Sequence, residues 1–196
     1  MISAAARGRA RVFKAHVAAR QQRLDATLGQ PLVKTLIREF TKRSSEKGRS
    51  RAMLRLRREL DPHADFEIAK LHGRPLALWS TPVIADEGVA LNYLLISPDG
   101  VRRGVWSFKV LEHGLQRYFE RGGRDLASAL LQANRACIKR KLFDLPTGEV
   151  LVSAPPGAFI GDTTEGGFGG GKIVVGKTWL HVDQLHFDQE LLLADR

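Results

Sequence analysis

The stretch Ser107–Lys141, SFKVLEHGLQRYFERGGRDLASALLQANRACIKRK, predicts the order of elements around which the rest of the chain folds. It predicts the end of a strand, a short helix, a break at Gly122–Gly123 and a longer amphipathic helix. In the short helix, His113, Arg117 and Arg121 are four residues apart and therefore share one face. An imidazole and two guanidinium groups on one stripe can bind a phosphate and exchange a proton beside it.

The chain has 196 residues, of which 43% are hydrophobic and 27% charged, enough for one domain with a helical extension or for two small domains. Its charge is unevenly distributed. Residues 1–60 contain 16 lysines and arginines against 4 acidic residues, whereas residues 61–196 contain 15 against 17. A basic segment joined to a near-neutral body predicts a polyanionic partner, unless the basic helices are only a solvated face.

Three features bear on the compartment of the protein. Cys137 is the only cysteine, so no disulfide forms within the chain, and its place in an amphipathic helix predicts a small buried side chain. No run of about 18 apolar residues occurs, which argues against a membrane span. Residues 1–23 have the composition of an organelle transit peptide, but the basic pattern continues past residue 40 and favours a structural helix. We therefore expect a cytoplasmic protein.

The first 60 residues predict three basic helices. Apolar periodicity and turn residues place them at 3–28, 31–42 and 50–60, with a loop at 43–49. In the third helix, Arg51, Arg55 and Arg58 share one face at spacings of four and three. The predicted nucleic-acid-binding residues are Arg49, Arg51, Arg55, Arg58, Lys139 and Arg140.

After Asp61 and Pro62 the pattern changes from helix to strand. Strands are predicted at 75–84, 89–97, 104–110, 149–153 and 172–175, with a further strand-like segment from Thr178, and the helix after Gly123 is expected to reach about Phe143. The glycine-rich residues 154–171 predict a mobile loop. We therefore predict an α+β fold with a basic helical region over residues 1–60 and, over residues 61–196, an antiparallel sheet of about five strands with one or two packed helices.

Residues 171–178, GKIVVGKT, match the phosphate-loop pattern GxxxxGK[ST]. That motif requires a preceding strand and a helix that begins at its Lys-Thr pair. Here Ile173–Val175 is itself strand-like, and few residues follow, so we reject the match and predict no cofactor. His181 and Asp183 would share a face if both lie on a strand, which makes a carboxylate-imidazole metal site conceivable. Nothing places His186 and Asp188 at the same point, so a solvated strand end is favoured and we expect no metal site.

The stripe on the short helix is the strongest candidate for catalysis. Metal-independent cleavage of RNA needs a proton acceptor, a proton donor and cations that stabilise charge on the phosphate. His113, Arg117 and Arg121 supply such groups, and Lys177 is expected to complete the site. The alternative is that these residues are only the solvated face of an amphipathic helix.

The same stripe carries a resemblance to a known group of proteins. Residues 112–122, EHGLQRYFERG, resemble the H-x-x-x-R-x-x-x-R-G segment of small bacterial proteins grouped with RelE-like and barnase-like toxin ribonucleases. The resemblance implies an antiparallel sheet flanked by helices, RNA as substrate, and His113, Arg117 and Arg121 near the scissile phosphate. This chain is longer than such proteins.

We therefore predict a nucleic-acid-binding protein, with RNA favoured over DNA, and a metal-independent endoribonuclease of the toxin type as the sharper hypothesis. The alternative function is that of a non-catalytic phage or mobile-element protein whose basic helices bind an acidic protein partner. Attachment of the first helix to an anionic membrane surface is a third hypothesis.

Overall fold

The structure, a computed structural model, describes residues 2–42, 45–60, 65–71, 74–97, 100–138, 141–165 and 172–185. Within these ranges the helices are α1 (Ala4–Leu28), α2 (Pro31–Lys42), α3 (Glu46–Leu60), α4 (Glu112–Glu120) and α5 (Leu126–Ile138). The strands are β1 (Asp65–Leu71), β2 (Arg74–Ala85), β3 (Gly88–Ser97), β4 (Gly100–Leu111), β5 (Leu142–Asp144), β6 (Val150–Ala154), β7 (Gly157–Glu165) and β8 (Lys172–His181). A short 3-10 helix, Val182–Gln184, follows β8.

The strands are hydrogen-bonded in the order β1-β2-β3-β4-β8-β7-β6-β5. The predicted α+β class is confirmed, but the expected antiparallel sheet of about five strands is corrected to eight strands in the described part of the chain, with β4 and β8 parallel. A parallel pair needs a long crossover connection, which here runs through α4, α5 and three strands.

The largest difference from the prediction is β7, which lies in the glycine-rich segment expected to be a mobile loop. A Cβ atom on Gly161 would lie 1.9 Å from the carbonyl oxygen of Val175, and one on Gly157 would lie 2.0 Å from that of Leu180. Both glycines therefore allow close approach of neighbouring backbone. The prediction of a mobile loop at 154–171 is therefore wrong for residues 157–165, and residues 166–171 lie outside the described part of the chain.

Two further boundaries are corrected. The Gly48 amide donates to Ser45 Oγ at 3.2 Å, as in a helix N-cap, so α3 begins at Glu46 and not at Ser50. At the other end of the chain, α5 ends at Ile138 and β5 begins at Leu142, so a helix reaching Phe143 is wrong.

The chain divides into two compact units. The first comprises Met1–His16, Pro82–Leu91 and Val105–Arg196, and the second comprises Val17–Thr81 and Asn92–Gly104. The division proposed from the sequence, at residue 60, stays a prediction.

The second unit has a hydrophobic core that joins helices to strands. Side chains of α1, α2 and α3 contribute to it together with Ala77 and Trp79 of β2 and Leu94 and Ile96 of β3. Trp79 is fully buried. The three helices and the strands of the second unit therefore share one core.

In the first unit, α4 packs on β8. Leu115, Tyr118 and Phe119 are buried, and the Tyr118 ring contacts Trp179 at 5.0 Å between centroids. The helix ends as predicted at the glycine pair: Gly122 has a φ of 90°, and the Gly123 amide donates to the Tyr118 carbonyl at 2.9 Å. This is the Schellman type of helix end, for which glycine is preferred because of its positive φ.

Candidate nucleic-acid interface

The α3 face of the second unit presents the exposed cations Lys47, Arg51, Arg55 and Arg58. The opposite side of the helix is held in the core by Met53, Leu56 and other apolar residues, which fixes the direction of the cations. Arg55 Nη1 lies 3.8 Å from Glu39 Oε2, and the Arg55 side chain remains 60% exposed. An exposed pair at this distance contributes little to stability, so it does not prevent Arg55 from binding phosphate.

Two members of this face were missed in the sequence. Lys47 belongs to it only because α3 begins at Glu46, and the predicted loop at 43–49 had excluded it. Leu54 lies among the arginines and is 55% exposed. The signal that could have found Lys47 is Ser45, which has the N-cap preference and stands three residues before Gly48.

The other predicted nucleic-acid-binding residues are placed differently. Arg49 is half-buried, with its side chain on the flank of α3. Lys139 and Arg140 lie outside the described residues. Their contribution to binding stays a prediction.

The α4 stripe, His113, Arg117 and Arg121, is only partly brought together. His113 is exposed, and Arg117 Nε donates to His113 Nε2 over a long distance of 3.4 Å. Arg117 Nη1 also forms an ion pair with Glu120 Oε2 at 2.6 Å. An imidazole nitrogen and a guanidinium group thus lie side by side on the outer side of α4.

Glu120 links this group to the start of α1. Its Oε1 atom accepts a hydrogen bond from the Ser3 amide at 3.1 Å. Partial desolvation would raise the pKa of the Glu120 carboxyl, but the hydrogen bonds from Arg117 and Ser3 outweigh it and lower that pKa. The Glu120 carboxyl group is therefore ionised, and it orients the Arg117 guanidinium.

The Arg121 side chain is hydrogen-bonded within the first unit. Its Nη1 atom donates to the Trp179 carbonyl of β8, beyond Gly176, the last residue of β8 paired with β4. Burial, together with the neighbouring charge of Arg117, lowers the pKa of Arg121. The Arg121 guanidinium is therefore bonded to a strand carbonyl. It does not join Arg117 beside His113.

Lys177 is held by carboxylates. In β7 and β8, Ile160 pairs with Thr178 and Gly161 with Gly176, so Lys177 is the extra residue of a β-bulge. Its Nζ atom lies 2.5 Å from Asp162 Oδ2 and 3.9 Å from Glu149 Oε1. The hydrogen bond that Lys177 donates to Asp162, opposed by slight desolvation, raises the pKa of Lys177.

The side of the sheet reached by Lys177 follows from strand alternation. Phe159 of β7 contacts Tyr118 of α4, and Asp162 lies three residues further along the same strand, so it faces the opposite side. Because Lys177 bonds to Asp162, the structure does not bring its ammonium group to His113 and Arg117.

The first half of α1 lies along α4 in the opposite direction. Lys14 Nζ is 2.7 Å from Glu112 Oε2, and Arg9 Nη2 donates to the Phe119 carbonyl at 2.6 Å. The Lys14 ammonium lowers the pKa of Glu112 in spite of opposing desolvation. Part of the basic N-terminal segment is therefore used to hold α1 on α4 within the first unit.

The structure also bears on other motifs. Lys177 and Thr178 lie inside β8, so the phosphate-loop match has no helix at its Lys-Thr pair. Over the described ranges no group of three histidine, cysteine or carboxylate side chains could hold a metal ion.

Cys137 is buried, as predicted, and burial raises the pKa of its thiol to about 12. Each described helix is too short or too polar to cross a bilayer.

Comparisons with known proteins add no relative to these observations. A scan against protein-family models gives no match, and searches of curated proteins and of solved structures give none either. The resemblance of residues 112–122 to toxin ribonucleases stays a prediction.

Proposed function

We propose that this protein binds nucleic acid through the α3 face. The observation that carries the proposal is the placement of Lys47, Arg51, Arg55 and Arg58 on the exposed side of a helix whose other side is fixed in a core. Such a face can contact successive phosphates, and phosphate contacts supply most of the affinity for nucleic acid. RNA is favoured over DNA on the basis of the resemblance of the α4 stripe to RNA-cleaving toxins.

The proposal is tested by removing three charges from the α3 face. We expect R51Q/R55Q/R58Q to weaken binding of a fluorescent 12-nucleotide RNA at least tenfold in anisotropy measurements. Binding should also become less dependent on salt, by about 0.7 in the slope of log K against log [salt] for each lost phosphate contact.

The matched control is R102Q/K141Q/K172Q, which removes the same charge from exposed positions of β4, β8 and the segment before β5. It should retain wild-type affinity within about threefold, because only long-range electrostatics is changed. Equal losses in the two triple variants would show that net charge matters and the α3 face does not.

The sharper hypothesis is metal-independent cleavage of RNA at the α4 stripe. Its support is the contact of Arg117 Nε with His113 Nε2, since an imidazole and a cation side by side can move a proton and stabilise charge on a phosphate. Arg117 contacts His113, whereas Arg121 donates to the Trp179 carbonyl and Lys177 to Asp162, so the minimal site is His113 with Arg117.

Chelator-treated protein is expected to cleave single-stranded RNA, and His113→Ala should lower that rate by about 100-fold or more. Gln116→Ala, on the same helix, is the control and should keep most activity. Because His113 is exposed, its replacement should leave the far-UV circular dichroism spectrum unchanged. Undiminished cleavage by His113→Ala would remove the histidine from the mechanism.

The alternative of an acidic protein partner makes a different prediction for the same surface. An acidic peptide would bind the α3 face and compete with RNA. If only the peptide binds, and RNA and heparin do not, the partner-binding function replaces the nucleic-acid proposal.

A further inference from the structure

A groove of about 500 Å³ lies within the first unit, between α1 and the start of α5. Phe13 and Val12 line it from α1, and Phe119 and Leu126 line it from α4 and α5. Val12 is 57% exposed, which is unusual for an aliphatic side chain on a helix that has a packed side. The groove is therefore an apolar surface that neither helix covers.

Two arginines and a histidine surround this apolar surface. Arg9, His16 and Arg124 line the groove and are exposed. The acidic lining residue, Asp125, caps the start of α5, because its Oδ1 atom accepts a hydrogen bond from the Ser128 amide at 3.1 Å. An apolar centre with a cationic rim is complementary to a ligand that has an apolar body and a negative charge.

Two planar groups on the lining can stack on a planar ligand, the exposed Arg9 guanidinium and the half-buried Phe13 ring, and both lie beside the buried Phe119 ring. The Arg9 guanidinium lies over the Phe119 ring at 5.7 Å from its centroid, and the Phe13 ring is 6.3 Å from that of Phe119. Arg9 is also fixed by its bond to the Phe119 carbonyl. Aromatic rings and arginine planes are the surfaces on which unpaired bases stack in single-stranded nucleic acids.

The volume of the groove favours a nucleotide over a partner helix as its occupant. Its volume of about 500 Å³ is within the usual range for small-molecule sites, roughly 300–1,000 Å³. Three turns of an α-helix about 10 Å wide occupy roughly 1,200 Å³. One or two nucleotides fit the groove, whereas a docked helix would remain mostly outside it.

We infer that this groove holds an unpaired base of a single-stranded nucleic acid, with the adjoining phosphates at Arg124 and His16. The inference rests on the proposed nucleic-acid binding and adds to it a preference for single strands over duplexes. A base in a duplex is stacked and paired, and cannot enter the groove without being flipped out.

The test compares V12E/R124Q with V182E/R102Q. Each double variant makes the net charge more negative by two, but Val182 and Arg102 do not line the groove. The probes are a fluorescent 12-nucleotide oligouridine and a 12-base-pair RNA duplex, measured by anisotropy at one salt concentration.

We expect V12E/R124Q to bind oligouridine about tenfold more weakly than V182E/R102Q, since stacking of one base typically contributes a factor of about 5 to 150 in affinity. The two variants should bind the duplex equally. A 4-thiouridine in the oligonucleotide should cross-link to peptides from α1 or from residues 119–127.

Other outcomes overturn the inference in distinguishable ways. If the groove variant matches its control on oligouridine while R51Q/R55Q/R58Q loses binding, the groove is not a base site but the α3 face still binds nucleic acid. If wild-type protein binds neither probe, both proposals fail. If V12E/R124Q loses binding only to an acidic amphipathic peptide, the groove is a protein-docking site.

Discussion

Gly114 lies where α4 packs tightly against the sheet. A Cβ atom there would lie 2.7 Å from Val110 Cγ2 and 3.0 Å from the carbonyl oxygen of Gly176. Gly8, on α1, has no such neighbour within 4 Å. Both glycines lie in helices and look alike in the sequence, and the tertiary contacts alone distinguish them.

Exchanging each glycine for alanine should therefore change stability in opposite directions. Gly114→Ala is expected to lower the free energy of unfolding by about 1 kcal/mol or more, because overpacking exceeds the gain in helix propensity. Gly8→Ala should raise it by about 0.5–1 kcal/mol. Urea denaturation measures both, and a Gly114→Ala protein as stable as the wild type would contradict the close packing of α4 on β8.

Arg121 illustrates how one residue type can serve the fold or a ligand. Since its guanidinium donates to the Trp179 carbonyl, Arg121→Gln should lower the free energy of unfolding by about 1–3 kcal/mol. Arg124→Gln, at an exposed position three residues further on, is the control and should change it little. If Arg121→Gln reduced RNA cleavage without reducing stability, Arg121 would instead act on the substrate.

At the scale of elements, the pairing of α1 with α4 depends on two glutamates. The pKa values of Glu112 and Glu120 are lowered from 4.5 in the folded chain. A carboxyl group whose folded pKa is lowered stabilises the fold above its unfolded pKa, and this contribution disappears as the pH falls through the folded value. The α1 contact should therefore weaken below about pH 4.5.

The double variant E112Q/E120Q tests this linkage. We expect its free energy of unfolding to differ less between pH 7 and pH 3 than that of the wild type. E59Q/E165Q removes two exposed carboxylates elsewhere and should keep the wild-type difference. An unchanged pH dependence in E112Q/E120Q would mean that the contacts of Lys14, Arg117 and Ser3 with these carboxylates do not stabilise the fold.

At the scale of the whole molecule, the basic helices share a hydrophobic core with strands β2 and β3. The core of the second unit contains residues of α1, α2 and α3 as well as Trp79, Leu94 and Ile96. A shortened chain that starts at Asp61 would lose the helical half of that core.

We expect the shortened chain to expose this core and to associate. Binding of a hydrophobic dye should increase, thermal unfolding should lose cooperativity, and sedimentation should show species larger than those of the full chain. A cooperative chain of residues 61–196 with no increase in dye binding would show that residues 1–60 are a separate domain.

Much of the helical structure could be predicted from the sequence, because apolar spacing and turn residues are local signals. The positions of α1, α2 and α4 and the break after α4 were correct to within a residue or two. Strand β7 was not predicted, because Gly157 and Gly161 pack against neighbouring backbone that is distant in the sequence. Strands β1 and β5 were not predicted either, and β8 was predicted as two segments. In the candidate site, the sequence predicts Arg51, Arg55 and Arg58. It does not predict Lys47, because the first turn of α3 was assigned to a loop.

The sequence by itself determined the α+β class, the basic helices and the helical spacing of His113, Arg117 and Arg121, since each depends on neighbouring residues. Only the tertiary structure decided which charges remain available. Lys177 is bound by Asp162 and Arg121 by the Trp179 carbonyl, whereas the α3 arginines remain exposed. The physical reason is that an ion pair or a hydrogen bond depends on the distance between atoms in space, and strand pairing brings together residues that the sequence separates.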